Sequence, residues 1–189
     1  MNHHYDDLFT RIDYSRQDLS GILYESCRFE RCTLDETNLK HATFENCTFE
    51  ACSLMMTNLT GTTFDKVCFH ECKVMGVNFS LLNDFAIEVH FKKCRIISAL
   101  FTALALPKTS FEGSALEETT FRECALKEAN FSNTSCRATL FDSCDLTSAC
   151  FTGSSGFSIH PCKNTLKKAQ FDVEGAMALL SPFDITLKI

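Results

Sequence analysis

The chain has 189 residues and a formal net charge of −6, from 24 acidic and 18 basic side chains. This length suits a single solenoid or globular unit, and the acidic balance argues against nucleic-acid binding, which needs clustered Lys and Arg. The opening MNHHYDDLF is polar and acidic and has no signal-peptide architecture. We therefore expect a cytoplasmic protein.

The first part of the chain repeats every five residues, with a large apolar residue at each repeat centre. Phenylalanine recurs every twenty residues, at Phe9, Phe29, Phe49 and Phe69. A strand alternates its faces every two residues and a helix every 3.6, so a five-residue period fits neither. It indicates a short extended segment followed by a corner, with four corners in each coil of a solenoid. The position two before each centre is mostly Ala, Cys, Thr, Ser or Val, as at Ala42, which predicts a second inward position.

Near residues 80–90 the register gains two residues. Asn83 and Asp84 are turn formers, so we expect a bulge or kink between two stacked blocks. The phenylalanine series resumes at Phe91 and runs in twenty-residue steps to Phe151. This predicts that the second block continues the wall of the first.

One apolar run, IISALFTALAL, follows three basic residues. It is too short to span a bilayer. Ile96, Phe101 and Leu106 within it fall on repeat centres. We therefore interpret the run as core and expect no membrane association.

The repeat stops at about residue 153, so we divide the chain into a repeat domain, 1–153, and a C-terminal module, 154–189. Asp172 can cap a short helix from about Val173 to Leu180, which Pro182 prevents from continuing. The end of a solenoid offers unpaired strand edges that must be covered. The module is either a monomeric lid or a two-fold dimer contact, and the candidate contact residues are Phe171, Met177, Leu180, Phe183 and Ile185.

A small residue, a polar residue, Leu or Phe, and two variable residues form the signature of the pentapeptide-repeat proteins, and RQDLSG, TNLTGTTF and EANFSNTSC match it. The resemblance covers roughly residues 7–153. It implies an all-β fold, a right-handed quadrilateral β-helix, here of about seven coils with a short C-terminal helical cap. The tail GFSIHPCKNTLKKAQFDVEGAMALLSPFDI resembles the C-terminal module of the fluoroquinolone- and microcin-resistance branch. Members of that branch dimerise through this module and bind type II topoisomerases as DNA mimics.

The cysteines and histidines do not form motifs for catalysis or metal binding. Five-residue spacing sends neighbouring cysteines to different walls, which argues against zinc, and stacked cysteines should have parallel Cβ directions, which argues against disulfides. We expect free thiols, no metal, no cofactor and no enzymatic activity. Eight cysteines occupy the small inward position: Cys27, Cys32, Cys47, Cys52, Cys72, Cys94, Cys124 and Cys144.

Residues one past a repeat centre should face solvent, and many of them are acidic. Glu25, Glu45 and Asp65 fall on one wall, and Glu30 and Glu50 fall on the next. Successive members of a column should lie about 4.8 Å apart, and like charges at that spacing repel. The columns are either an ordinary solvated surface or a partner-binding site.

Three functions therefore remain open. The first is a dimeric DNA mimic that uses these five residues to bind DNA gyrase or topoisomerase IV, modulating the enzyme or protecting it from quinolones or gyrase toxins. Seven coils span roughly 34 Å, a length of duplex that carries about 20 phosphate charges, so a net charge of −6 confines any mimicry to the acidic columns. The second is a general protein-interaction scaffold. The third is a thiol-based redox or metal sensor, which requires exposed reactive cysteines.

Overall fold

The computed structural model describes residues 3–85, 87–183 and 185. Its secondary structure consists almost entirely of short strands that follow one another along the chain, with one short helix near the C-terminus. The strands are β1 His3–Tyr5, β2 Leu8–Thr10, β3 Leu23–Glu25, β4 Arg28–Glu30, β5 Thr43–Glu45, β6 Thr48–Glu50, β7 Ser53–Met55, β8 Thr63–Asp65, β9 Val67–His70, β10 Lys73–Met75, β11 Val89–Lys92, β12 Arg95–Ile97, β13 Leu100–Thr102, β14 Ala115–Glu117, β15 Thr120–Arg122, β16 Ser135–Asp142 and β17 Ser155–Ile159. The helix is α1, Val173–Ala178, and the segments Phe79–Leu81 and Ser181–Phe183 form 3₁₀ turns.

Each strand pairs in parallel with the strand one coil away, and this pairing builds the walls of the solenoid. We call the sheet of β1, β3, β5 and β8 the first wall, and the sheet of β2, β4, β6, β9 and β11 the second wall. The remaining strands line the other two sides, where β16 turns a corner and contributes to both. The structure thus confirms the predicted quadrilateral β-helix.

The solenoid has about 8 turns, where the sequence predicted about seven. Parallel pairing continues beyond residue 153, because Cys150 bridges Gln170 and β17 pairs with β16. Leu166 and Phe171 lie twenty residues after Leu146 and Phe151, so the sequence contained a signal for this coil. The Ser155–Ile159 strand departs from the five-residue pattern and interrupts that signal. Whether residues 154–189 form a separate module stays a prediction.

Most corners are turned by a residue with a left-handed backbone, two positions after a repeat centre, whereas the chain after Phe79 forms the 3₁₀ turn Phe79–Leu81. Twenty-four residues other than glycine adopt this conformation, for example Ser26 at φ 54° and Asn46 at φ 51°. The N–H of such a corner residue donates to the next coil, as from Ser26 to the Glu45 carbonyl at 2.8 Å. At the Gly61 corner a Cβ atom would approach His41 Nδ1 to 2.3 Å, so glycine leaves room there for the His41 ring.

Stacked phenylalanine rings fill the centre of the coils. Ring centroids are 4.6 Å apart between Phe29 and Phe49, and 4.8 Å apart between Phe49 and Phe69. The stack continues across the register slip, where Phe69 and Phe91 are 5.2 Å apart and lie opposite each other in the sheet. The predicted column of aromatic side chains is confirmed, and the slip does not shift the wall. These rings are almost completely buried.

The small inward positions hold hydrogen-bonded thiols and hydroxyls. The Cys52 thiol donates to the Phe29 carbonyl at 3.3 Å, and the Thr57 hydroxyl donates to the Leu34 carbonyl at 2.8 Å. All eight cysteines predicted at this position are buried and free. Burial raises the pKa of Cys47 to about 12, so its thiol stays protonated and unreactive near neutral pH. These thiols pack the core and do not suit a redox sensor.

The C-terminal helix begins where the sequence predicted and ends earlier. Asp172 caps it, with Oδ1 accepting the Gly175 N–H at 2.7 Å and Oδ2 accepting the Gly153 N–H at 2.8 Å. The second contact joins the helix to the preceding coil. The helix ends at Ala178, because Ser181–Phe183 form a 3₁₀ turn around Pro182 instead of a further α-helical turn. In the part of the chain described here, no helix has the length and apolar character needed to cross a membrane.

Truncating one ring of the central stack should destabilise the protein strongly. Phe111 is buried between Phe91 and Phe131, so Phe111→Ala should lower the free energy of unfolding by about 3–5 kcal/mol. Phe85→Ala is the matched control, because Phe85 is 92% exposed. Urea denaturation of both variants measures the effect. A loss of less than about 1 kcal/mol for Phe111→Ala, the size of an average point mutation, would contradict the stacked core.

One partly buried histidine, His90, should make the stability of the protein depend on pH. His90 Nδ1 accepts the backbone N–H of Ser110 at 3.1 Å, and burial lowers the pKa of His90 below its ordinary value of 6.5. The unfolded chain therefore binds the extra proton more readily, so stability should fall as the pH drops below about 6.5. His90→Asn keeps a hydrogen-bond acceptor without a titrating group. Urea midpoints at pH 7.5 and 5.5 should differ less for this variant than for the wild type, and an equal difference would contradict the assignment.

Candidate protein-binding face

The first wall brings three predicted acidic residues into one column. Glu25, Glu45 and Asp65 are directly opposite one another in successive strands, which places their Cα atoms one coil apart. All three residues are partly exposed to solvent, and the side chain of Glu25 is 38% exposed. We call these three residues the first-wall acidic column.

This column is not neutralised by basic side chains. Within the described residues, neither Lys nor Arg lies within 4.0 Å of its carboxylates, and the nearest ionisable partner is His3, whose Nε2 is 3.4 Å from Glu25 Oε2. The residues one position before each repeat centre on this wall, such as Thr43 and Thr63, are uncharged. The column therefore presents uncompensated negative charge along one side of the solenoid.

The second predicted column is electrostatically different. Glu30 and Glu50 are opposite each other, and the next residue in the column is His70. Arg28 lies between the two carboxylates, with Nε 2.8 Å from Glu30 and Nη2 2.5 Å from Glu50. The hydrogen bond from Arg28 holds the pKa of Glu50 below its usual value. One guanidinium thus partly neutralises this pair, and the first wall carries the stronger field.

The net charge of the chain is confined to its first half. Residues 1–84 contain 13 acidic and 7 basic side chains, a net charge of −6, whereas residues 85–189 contain 11 of each. In the second half four of the acidic residues contact Lys or Arg: Glu117, which contacts both Arg95 and Arg137, and Glu128, Asp142 and Asp145. A charge count over the whole chain, as in the sequence analysis, does not show this asymmetry, whereas counting each half separately would have shown it.

The predicted dimer residues lie at the C-terminal end, but they are not equivalent. Phe171 stacks on Phe151 at 5.1 Å and closes the core column. Met177, Phe183 and Ile185 are 40%, 43% and 55% exposed. Leu180 is half-buried. The exposed apolar surface therefore consists of Val173 and Met177 in the helix, Phe183 in the turn after it, and Ile185.

The described part of the chain contains no cluster of three or more His, Cys, Asp or Glu side chains that could hold a metal ion. A surface cleft of about 300 Å³ lies beside His70, Lys92, Lys93 and Glu112, on the second wall and its corner. Its charges are mixed and all its lining side chains are on the surface. It does not present a nucleophile held by a base, which acyl-transfer chemistry would need.

A family model described as pentapeptide repeat region matches residues 23–84 and 86–156. The chain belongs to the pentapeptide-repeat family. No curated protein matches it by sequence. This pentapeptide-repeat protein is therefore compared with solved structures, which share its fold at low sequence identity.

Two solved structures of trypsin-treated QnrB1, a plasmid-mediated fluoroquinolone resistance protein, resemble this chain. The alignment with the first structure covers 99% of this chain and 98% of the QnrB1 chain, with a TM-score of 0.59 and 15% sequence identity. The alignment with the second structure covers 99% of this chain and 100% of the QnrB1 chain, with a TM-score of 0.52 and 16% sequence identity. A third similar structure is HetL, a pentapeptide-repeat protein involved in heterocyst differentiation regulation from the cyanobacterium Nostoc sp. strain PCC 7120. That alignment covers 89% of this chain and 86% of the HetL chain, with a TM-score of 0.51 and 14% sequence identity. These likenesses show a shared fold.

Proposed function

We propose that this pentapeptide-repeat protein binds a type II topoisomerase, DNA gyrase or topoisomerase IV, in the cytoplasm. The observation that carries the proposal is the first-wall acidic column of Glu25, Glu45 and Asp65, which has no Lys or Arg partner among the described residues. Like charges in adjacent strands reduce stability. Elsewhere in this protein arginine side chains contact such carboxylates, as Arg28 contacts Glu50 and Arg137 contacts Glu117. A partner that supplies positive charge would remove this repulsion.

The distance between neighbouring charges in the column is of the same order as the distance between phosphate charges along one strand of duplex DNA. The column carries one charge for each strand spacing of about 4.8 Å, and one strand of duplex DNA carries one charge per about 3.4 Å of helix axis. A rigid parallel ladder holds the carboxylates in place before binding, so little conformational entropy is lost on association. The acidic first half of the chain would lie in the enzyme's cationic DNA-binding groove, and Glu30 and Glu50 would contribute at its edge.

Occupation of that groove would modulate the topoisomerase or protect it from quinolones or gyrase toxins. The resemblance of the fold to QnrB1, a fluoroquinolone resistance protein, supports this direction. The protein would act without catalysis and without touching nucleic acid itself, because its acidic face repels phosphates.

We also propose that two copies associate through the C-terminal end. Met177, Phe183 and Ile185 are apolar and exposed, and with Leu180 they form a continuous region of sequence beyond the last coil. Phe171 would support this surface from within the core. A two-fold contact would cover the end of the solenoid and place the two acidic first halves at opposite ends of a longer rod.

A general protein-interaction scaffold is the second candidate function. HetL matches the same fold and is described by a role in differentiation regulation, so the fold also serves purposes other than drug resistance. Binding to neither topoisomerase would favour this candidate.

Reversing one charge in the column should weaken topoisomerase binding. Glu45→Lys places Lys in a position that holds Lys40, Lys92 and Lys127 elsewhere in the chain, so the fold should tolerate it. We expect its affinity for gyrase to fall at least about tenfold and its effect on supercoiling to fall with it. Glu128→Lys, the same charge change at a carboxylate paired with Lys108, should change the affinity less than about threefold.

Affinity measurements and a gyrase supercoiling assay, with and without a quinolone, provide the readouts. Absence of any effect of the wild-type protein at micromolar concentration on both gyrase and topoisomerase IV would exclude the topoisomerase role. If Glu45→Lys and Glu128→Lys weaken binding equally, the net charge of the protein determines the affinity and the first-wall acidic column has no specific role.

A charge on the C-terminal apolar surface should abolish self-association. Met177→Glu should convert the wild-type dimer into a monomer, because an unpaired carboxylate would be buried in the contact. Met56→Glu is the matched control, since Met56 is 65% exposed far along the chain from the cap. Sedimentation velocity over a concentration series distinguishes the two, and a wild-type protein that stays monomeric at all concentrations would refute the dimer.

A further inference from the structure

One aromatic side chain stands outside the pattern that places aromatic residues in the core. Phenylalanines at repeat centres are almost fully buried, as at Phe64 and Phe91, whereas Phe85 is 92% exposed. It lies in the register slip, the segment that interrupts the five-residue repeat. An exposed phenylalanine contributes nothing to core packing, and aromatic residues are enriched among the side chains that dominate protein interfaces.

The backbone that carries Phe85 is firmly attached to the coil below. Asn83 Oδ1 accepts the Phe85 N–H at 3.2 Å, which forms a tight turn. The Asn83 N–H donates to the Thr62 carbonyl at 2.8 Å, and its side-chain Nδ2 donates to Thr63 Oγ1 at 3.2 Å. Phe85 is thus presented on an ordered support, which lowers the entropy lost on binding.

This support lies on the first wall, next to the acidic column. On the far side of the turn the Glu88 N–H donates to the Phe64 carbonyl at 3.0 Å, and the Glu88 carbonyl accepts the Val67 N–H at 2.9 Å. The hydrogen bonds of Asn83 and Glu88 therefore both reach the first wall at or beside the strand Thr63–Asp65, which contains the last member of the column. Phe85 lies along the chain between Asn83 and Glu88, the two residues whose backbone bonds to this part of the wall.

The surroundings of Phe85 restrict the kind of partner. Asp84 and Glu88 are exposed on either side of it along the chain, and Asp65 lies in the strand beneath. An acidic surface of this kind repels the phosphates of nucleic acids and of anionic membranes. A protein surface with positive charge around an apolar pocket is complementary to it in both charge and polarity.

We propose that Phe85 is the apolar anchor of the acidic face and inserts into a pocket beside the cationic groove of the topoisomerase. The proposal rests on the proposed function and adds a specificity determinant to it. The carboxylates would guide the approach of the two proteins, and the ring would determine the lifetime of the complex, because burial of an aromatic side chain acts mainly on dissociation.

The test measures the affinity of full-length variants for the gyrase holoenzyme over a series of salt concentrations. Phe85→Ala should weaken binding about 10- to 100-fold and leave the slope of log affinity against log salt unchanged, because no charge is lost. Phe85→Leu should recover part of the affinity. Glu45→Lys should reduce the slope. Met56→Ala, at another exposed apolar corner residue, should bind like the wild type, and all variants should unfold at the wild-type midpoint.

Each outcome decides between the two proposals. A wild-type protein that binds, with Phe85→Ala binding equally well or with an altered salt slope, overturns the anchor and leaves the proposed function intact. A wild-type protein that binds neither gyrase nor topoisomerase IV overturns both. A loss of affinity in Phe85→Ala that leaves the salt slope unchanged, is partly recovered in Phe85→Leu and is absent from Met56→Ala supports the anchor.

Discussion

Closure of each coil after about twenty residues depends on left-handed backbone residues at most of its corners. For residues such as Ser26 and Asn46 this conformation costs on the order of 1 kcal/mol. The cost is offset because the corner N–H donates to the next coil and because closure brings each aromatic ring over the one below it. A coil is therefore stable only with a neighbour, and the walls, the buried thiols and the surface columns all follow from this stacking.

The same constraint separates folding from recognition. Two of every five positions point inward and hold Phe, Leu, Cys or Thr, so the outward positions can vary with little effect on the core. Parallel pairing without offset then converts any acidic residue repeated every twenty positions into a straight column. Arg28 partly neutralises one such column, whereas the other has His3 as its only ionisable partner within 4.0 Å among the described residues, so the two columns differ in charge although they share the same backbone register.

The register slip shows how the solenoid accommodates an irregular segment. Two extra residues are taken up between β10 and β11, while Phe69 still stacks on Phe91. The insertion is possible because the adjoining strands keep their hydrogen bonds, from Asn83 at one end and through Glu88 at the other. An aromatic side chain on the inserted turn is consequently held away from the core and beside the charged wall.

The period of the sequence by itself determined the coil, the inward residues, the burial of the cysteines and the register of the acidic columns, because a five-residue repeat leaves a single way of bringing like residues together. The tertiary structure alone decided that Arg28 bridges Glu30 and Glu50 and that Phe85 stands exposed. These features depend on where long side chains reach between coils and on how an irregular segment folds over its neighbour. A periodic pattern carries no information about either, since both arise from contacts between residues that the repeat does not relate.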